Sequence, residues 1–342
     1  MGMAPLSGVQ MAVHGSCTPS TKAMYSEYKG HVLEVQGLCT AAGGKCRFRM
    51  STFLLSAENA FFRCKSVNFA VRYRNQLFIF HFSLFISYMI LDKVGRYAFM
   101  AEPFHCDFSR HLFMGHLGNS LLNAADFHSN DRGFGMSYLN PLHLTWVLSR
   151  LVIEVESMPE AYEQMEVETW VENAMRFFTN RNFKISEPSS GRVFGYGRSV
   201  WAMINTDTRQ PVDLMSIRDG MIMDYVEKEK ACPIAPFSRV KMGEGAEMVR
   251  EIDTYYDDVD MNGHVNSVKY IEHVLDLWSV DWHRSHPLRR IEVAYVAEAH
   301  GGDRLAFFRE EVGERCFAVK IMKRESAGGE LVEVVRCQVA FE

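Results

Sequence analysis

From Tyr97 onward one arrangement is written twice: an apolar helical stretch followed by runs that alternate apolar and polar side chains. The first copy carries MGHLGNSLLNAADFH (114–128), with Leu117, Leu121, Leu122 and Ala125 at helical spacing. LTWVLSRLVIEVE (144–156), MEVETWVE (165–172), RFFTNRNFKIS (176–186) and RVFGYGRSVWAMIN (192–205) follow it. The second opens on REIDTYY (250–256), continues into GHVNSVKYIEHVLDLW (263–278), and ends on RRIEVAYV, DRLAFFREE, CFAVKIMKRE and LVEVVRCQVAF. Alternation with period two is the mark of half-buried strands, and turn-formers such as EPSSG separate them. The copies align at an offset of 146 to 148: Met114-Gly115-His116-Leu117 with Asn262-Gly263-His264-Val265, Asn119-Ser120 with Asn266-Ser267, Pro141-Leu142 with Pro287-Leu288. Three matches in register predict a duplicated α+β domain, each copy a long helix wrapped by a curved antiparallel sheet. A wrapped helix is apolar on more than one side, as Val265, Val268, Ile271, Val274, Leu275 and Trp278 are.

The expected organisation is an N-terminal extension over 1–95, disordered or not native, a first domain over 96–206, a linker over 207–240 and a second domain over 241–342. The 342 residues suit about two domains. The net charge of -5 is uneven: residues 1–95 hold ten Lys/Arg against four Asp/Glu, leaving 27 against 38 for the remainder. An acidic body argues against nucleic acid as the principal partner, because phosphate binding needs a basic face. Eight cysteines without a CxxC pair indicate reduced thiols. Residues 77–91, LFIFHFSLFISYMIL, are too short an apolar run to span a bilayer. Three readings compete for the extension: a weak membrane anchor, an organelle-targeting segment, or translated sequence upstream of a true start at Met89. The last is preferred, and with it a cytoplasmic location; a genuine targeting segment would place the protein in a plastid.

DVDMNGHVNSVK (258–269) is the stretch most suggestive of chemistry. Asp258, Asp260, Asn262 and Gly263 occupy positions 1, 3, 5 and 6 of a calcium loop, but position 12 is Lys269 where a bidentate glutamate is required, and a strand precedes it. A histidine and an asparagine at a helix entrance can instead converge on a carbonyl that becomes negative during attack. Asp260 and Asn262 each have a plainer reading as helix caps. His264 does not, since a capped helix needs no imidazole. His105, Cys106, His111 and His116 also cluster, with spacing that fits no metal motif.

DVDMNGHVNSVKYIEHVLDLW resembles the active-site segment of the acyl-acyl carrier protein thioesterases, and TWVLSRLVIEV, VETWVE, RNFKI and RSVWAMINTDTRQP are similar to that family's first-domain segments. The resemblance spans roughly residues 97–342. It implies a double hotdog fold and hydrolysis of the thioester of fatty acyl-acyl carrier protein, releasing free fatty acid. It further implies a catalytic set of Asp260, Asn262, His264 and Glu298, with no metal and no cofactor. Glu298 would hold and deprotonate water, Asn262 position the carbonyl or the water, His264 stabilise charge and relay a proton, and Asp260 orient its neighbours. Where the family often has a cysteine after that glutamate, this chain has Ala299, which favours direct attack by water. Glu292, six residues earlier, competes with Glu298; alternation along one strand would point both the same way.

In the first copy His116 is expected to mark the vestige of the site, with Leu112 and Met114 where Asp260 and Asn262 would stand. That loss implies that the first domain is not catalytic, and the resemblance implies that Met114, Leu117, Leu121 and Leu122 line the acyl tunnel. The implied partner is acyl carrier protein, an acidic protein for which Arg284, Arg289 and Arg290 are candidate contacts; a homodimer is allowed. The alternatives are a hotdog hydratase or dehydratase and an acyl-binding or calcium-binding module.

Overall fold

The computed structural model describes residues 91–243, 245–324 and 330–342, together with the backbone of six short strands before them. The chain divides into two compact units, Met1–Tyr88 and Met89–Glu342. In the first unit β1 (Gln10–His14) pairs with β4 (Lys45–Arg49), β2 (Met24–Tyr28) with β3 (His31–Val35), and β5 (Val67–Tyr73) with β6 (Gln76–Phe82), all antiparallel. The three readings of the extension otherwise lie outside the described residues. Among the described residues no helix is long and apolar enough to cross a membrane.

The second unit holds β7 (Gly95–Met100), α1 (Met114–Asp131), α2 (Met136–Leu139), β8 (Leu144–Val155), β9 (Gln164–Ala174), β10 (Phe178–Ser186) and β11 (Val193–Asn205). After two 3-10 segments come β12 (Glu247–Asp253), α3 (Ser267–Leu275), α4 (Val280–Ser285), β13 (Leu288–Tyr295), β14 (Arg304–Gly313), β15 (Cys316–Arg324) and β16 (Leu331–Phe341). The strands form one ten-stranded antiparallel sheet in the order β12-β14-β15-β16-β13-β8-β11-β10-β9-β7. Each half, read from its outer edge, has its own strands in the order first, third, fourth, fifth, second. The two halves join where β13 pairs with β8, from Arg290 opposite Glu154 to Ala294 opposite Arg150. This is a double hotdog, with the alternating runs on the strands they predict.

One core serves both halves. Leu117, Leu121 and Ala124 of α1, Ile271 and Val274 of α3, and the inward residues Ile153, Phe183, Phe307 and Val335 bury together. The helices touch at glycines: Val268 Cγ2 and Ile271 Cδ1 lie 3.7 Å from where a Cβ of Gly118 would be, and Glu272 Cγ 2.6 Å from that of Gly115. The linker straps the opposite face of the sheet. Arg198 donates to the carbonyls of Cys232 and Ile234, Trp170 Nε1 donates to the Lys230 carbonyl, and Lys230 Nζ pairs with Glu168.

The structure corrects two local expectations. The second helix begins at Ser267, not Gly263, because Asn266 is its N-cap, its side chain accepting from Val268 N at 3.0 Å. The repeat also runs in a different register. Met114 corresponds to Ser267 at the helix starts, and the isolated bridges Cys106–Leu112 and His111–Glu160 correspond to Val259–Val265 and His264–His300. The equivalent of His264 is therefore His111, not His116.

Candidate active site

Residues 258–266 form a loop whose hydrogen bonds explain its sequence. Asp260 Oδ1 accepts from Asn262 N at 2.8 Å and His264 N at 3.4 Å, while Asp260 N donates to the His264 carbonyl at 2.8 Å. The turn places Gly263 at φ 81°, the left-handed region that glycine adopts without steric cost. Asp258, the first position of the imagined calcium loop, is buried and engaged: its carboxylate accepts from Tyr255 N at 2.8 Å and lies 2.7 Å from His273 Nε2 of α3. Lys269, at the twelfth position, pairs with Asp257 and Glu272 at 2.7 and 3.0 Å. The loop is held by its own side chains, and the calcium reading has no carboxylate at Asp258 to use.

A short ladder brings the chemistry together. Val265 N donates to the Ala299 carbonyl at 2.8 Å and His264 bridges His300, so the loop after β13 lies beside the 258–266 loop. Glu298 is thereby set against His264, with Nε2 3.3 Å from Oε2. The sequence placed Glu298 on a strand; it lies beyond the end of β13 at Tyr295, in a loop, which is what frees it to face the imidazole. Glu292 is excluded as its competitor: buried under the linker, it accepts from Ser238 N and Oγ at 2.9 Å each and pairs with Arg290 at 2.7 Å. The remaining oxygen of Glu298, Oε1, accepts from the guanidinium of Arg209. Sequence reasoning did not single out Arg209. It stands in the turn after β11, where Arg209 N donates to the Asn205 carbonyl at 2.9 Å.

Of the four predicted residues, His264 and Glu298 meet directly, and Asp260 shapes the loop that presents His264 instead of capping the helix. Asn262 is exposed and its amide folds back, Nδ2 lying 3.4 Å from Asp260 Oδ2. Beside them a surface cavity of about 390 Å³ is lined by Thr254, Tyr255, Tyr256, Val259, Asp260, Gly301 and Gly302. Met114, Leu117 and Leu121 are fully buried in the shared core and Leu122 packs partly buried against it.

The first copy keeps the loop without the reaction partner. Asp107 Oδ1 accepts from Ser109 N at 2.8 Å and His111 N at 3.2 Å, and Asp107 N donates to the His111 carbonyl at 2.8 Å, the pattern around Asp260. Arg110 takes the place of Gly263, also left-handed at φ 66°. The first copy thus retains Asp107-x-Ser109-x-His111, contrary to the expected loss of its acidic lead. Leu112 N donates to the Pro159 carbonyl as Val265 N does to that of Ala299, which puts Met158 where Glu298 stands. Met158 packs against the core and offers no base. Reading CDFSRHL directly against VDMNGHV would have revealed this register.

A tandem hotdog body with an imidazole–carboxylate pair at the mouth of its second helix defines the class of protein. The chain belongs to the acyl-ACP thioesterase family: the model of the N-terminal domain matches residues 94–221 and that of the C-terminal domain residues 243–337. It is similar to the oleoyl-acyl carrier protein thioesterase 2 of Arabidopsis thaliana, 29% identical over 208 residues, a match covering 55% of this chain and 54% of that protein. The matched region thus spans about half the length of such curated relatives. Among solved structures, an acyl-ACP thioesterase from Bacteroides thetaiotaomicron is 48% identical, covering 73% of this chain and 98% of its own, with a TM-score of 0.67. A 12:0-ACP thioesterase from Umbellularia californica, 21% identical with a TM-score of 0.63, shares the fold.

Proposed function

We propose that the protein hydrolyses the thioester of fatty acyl-acyl carrier protein and so releases free fatty acid. The observation that carries this reading is the Glu298–His264 pair at 3.3 Å, set beside a surface cavity in a chain of the acyl-ACP thioesterase family. Water held against Glu298 gives it a proton as the water oxygen attacks the thioester carbonyl carbon. The resulting oxyanion is met by the amide of Asn262, turned from Asp260, and by His264. Collapse breaks the C–S bond, and the proton taken up by Glu298 passes through His264 to the departing thiolate, which returns both residues to their starting states. Ala299, 1% exposed, offers no nucleophile, in keeping with direct attack by water.

The acyl chain runs along α1, past Met114, Leu117, Leu121 and Leu122, whose side chains part to admit it. Acyl carrier protein is the partner. Of the three arginines read from the sequence, Arg290 is held by Glu154 and Glu292 and Arg289 donates to the Val155 carbonyl, while Arg284 is the most exposed, paired with Asp281 at 2.9 Å, and remains the candidate contact. A homodimer and a cytoplasmic location, or a plastid one should the extension target it there, complete the reading.

Free-thiol release from a panel of acyl-acyl carrier proteins of different chain lengths tests the function. Hydrolysis of at least one is expected; hydrolysis of none removes it. Hydration of an enoyl thioester without thiol release would favour the hydratase alternative.

A further inference from the structure

We infer that His264, Glu298 and His300 form a binding site for a borderline-soft divalent cation, zinc foremost, and that occupancy switches hydrolysis off. The inhibitory half rests on the proposed function; the binding half does not. One ligand atom from each of the three residues lies within 4.8 Å of the other two. Zinc bound by imidazole nitrogen and carboxylate oxygen at about 2.0 to 2.2 Å in a tetrahedron spaces its ligands roughly 3.3 to 3.5 Å apart. His264 Nε2 and Glu298 Oε2 already stand at 3.3 Å. The third ligand needs only a small rotation of His300, whose side chain is 53% exposed and whose ring meets that of His264 edge to face at 5.0 Å.

The surroundings support the three ligands from behind, as they do in established metal sites. Arg209 holds Oε1 of Glu298, so the other oxygen is presented to the imidazoles. Asp303 holds the His300 backbone N–H at 2.9 Å and lies 3.9 Å from its Nδ1, where it offsets some of the added charge. The backbone bridge between His264 and His300 fixes their spacing. Two imidazoles and one carboxylate select zinc over magnesium, which prefers oxygen ligands and its own waters. The fourth, tetrahedral position is left to water. Coordination consumes the Glu298 lone pair and the His264 nitrogen that hydrolysis requires.

The full chain is titrated with zinc alone against a chromophoric chelator, with thioester hydrolysis followed in parallel. One ion per chain is expected, with affinity at least about tenfold weaker in His300→Ala and in Glu298→Gln and no displacement by excess magnesium. Circular dichroism checks that both variants fold. Equal affinity in His300→Ala, or no binding by the parent, overturns the site. Hydrolysis that persists at full occupancy overturns the inhibition. A chain that binds zinc through His300 but hydrolyses no acyl-acyl carrier protein would refute the proposed function and leave the site standing.

Discussion

Arg209, in the turn that closes the first hotdog half, donates to Oε1 of Glu298, in a loop of the second half, while His264 Nε2 stands 3.3 Å from the other oxygen. The candidate site is therefore assembled from both copies. Arg209 also has a left-handed backbone, φ 60°, which is costly for a residue with a Cβ. Arg209→Gly should keep or raise thermal stability while lowering kcat/KM about tenfold or more, and Arg209→Lys should recover part of the loss. A variant that melts at the parent temperature and hydrolyses at the parent rate would show that Arg209 does not position Glu298.

Removing either half of the reacting pair should be severe. His264→Ala and Glu298→Gln are each expected to lower kcat by roughly a hundredfold to ten-thousandfold, the usual contribution of a positioned acid or base. Glu292→Gln instead removes a buried partner of Arg290 and Ser238, and should act on the melting temperature. Steady-state rates and melts on the same preparations distinguish the two glutamates.

The vestigial loop yields the opposite expectation. The residue equivalent to Glu298 in this copy is Met158, which is no base, so His111→Ala should leave kcat/KM at the parent value while His264→Ala lowers it roughly a hundredfold or more. A comparable loss in both would mean that the first copy takes part in the reaction.

Stability should fall on mild acidification. Burial lowers the His128 imidazole well below its ordinary range, helped by the nearby Arg181 and Arg132, and burial together with His105 lowers His116. Both folded values lie below the unfolded value near 6.5, so the folded chain binds fewer protons than the unfolded chain. Their contribution is present above pH 6.5 and is lost as pH falls below it towards the folded values. Melting temperatures measured from pH 7.5 down to 5 should drop, and His128→Leu should flatten the slope while lowering the whole curve through loss of the bond to the Lys93 carbonyl.

The helix crossing should tolerate a methyl and no more. Gly118→Ala meets ordinary contacts at 3.7 Å and removes a helix-interior glycine, for a gain of up to about 1 kcal/mol. Gly118→Leu overfills the same crossing and should cost roughly 1 to 3 kcal/mol. Urea unfolding of both variants gives the sign.

Sequence alone determined that the chain holds two helix-and-sheet copies, where nine of the body's ten strands lie, and that Asp260, Asn262 and His264 share one loop, because alternation and turn chemistry are local and survive in a linear reading. It misjudged what depends on how loops close. The start of the second helix turned on which residue's side chain reaches a backbone N–H, and Asn266 won. The register of the repeat turned on matching backbone bridges, not on the chance likeness of His116 to His264. Glu298 and Glu292 were inseparable by periodicity, and only packing under the linker or beside His264 parted them. Arg209 and His300 lie far from the motif or outside it; their place at the site exists only because the two halves share one sheet and one core, which brings loops distant in the chain to a common mouth.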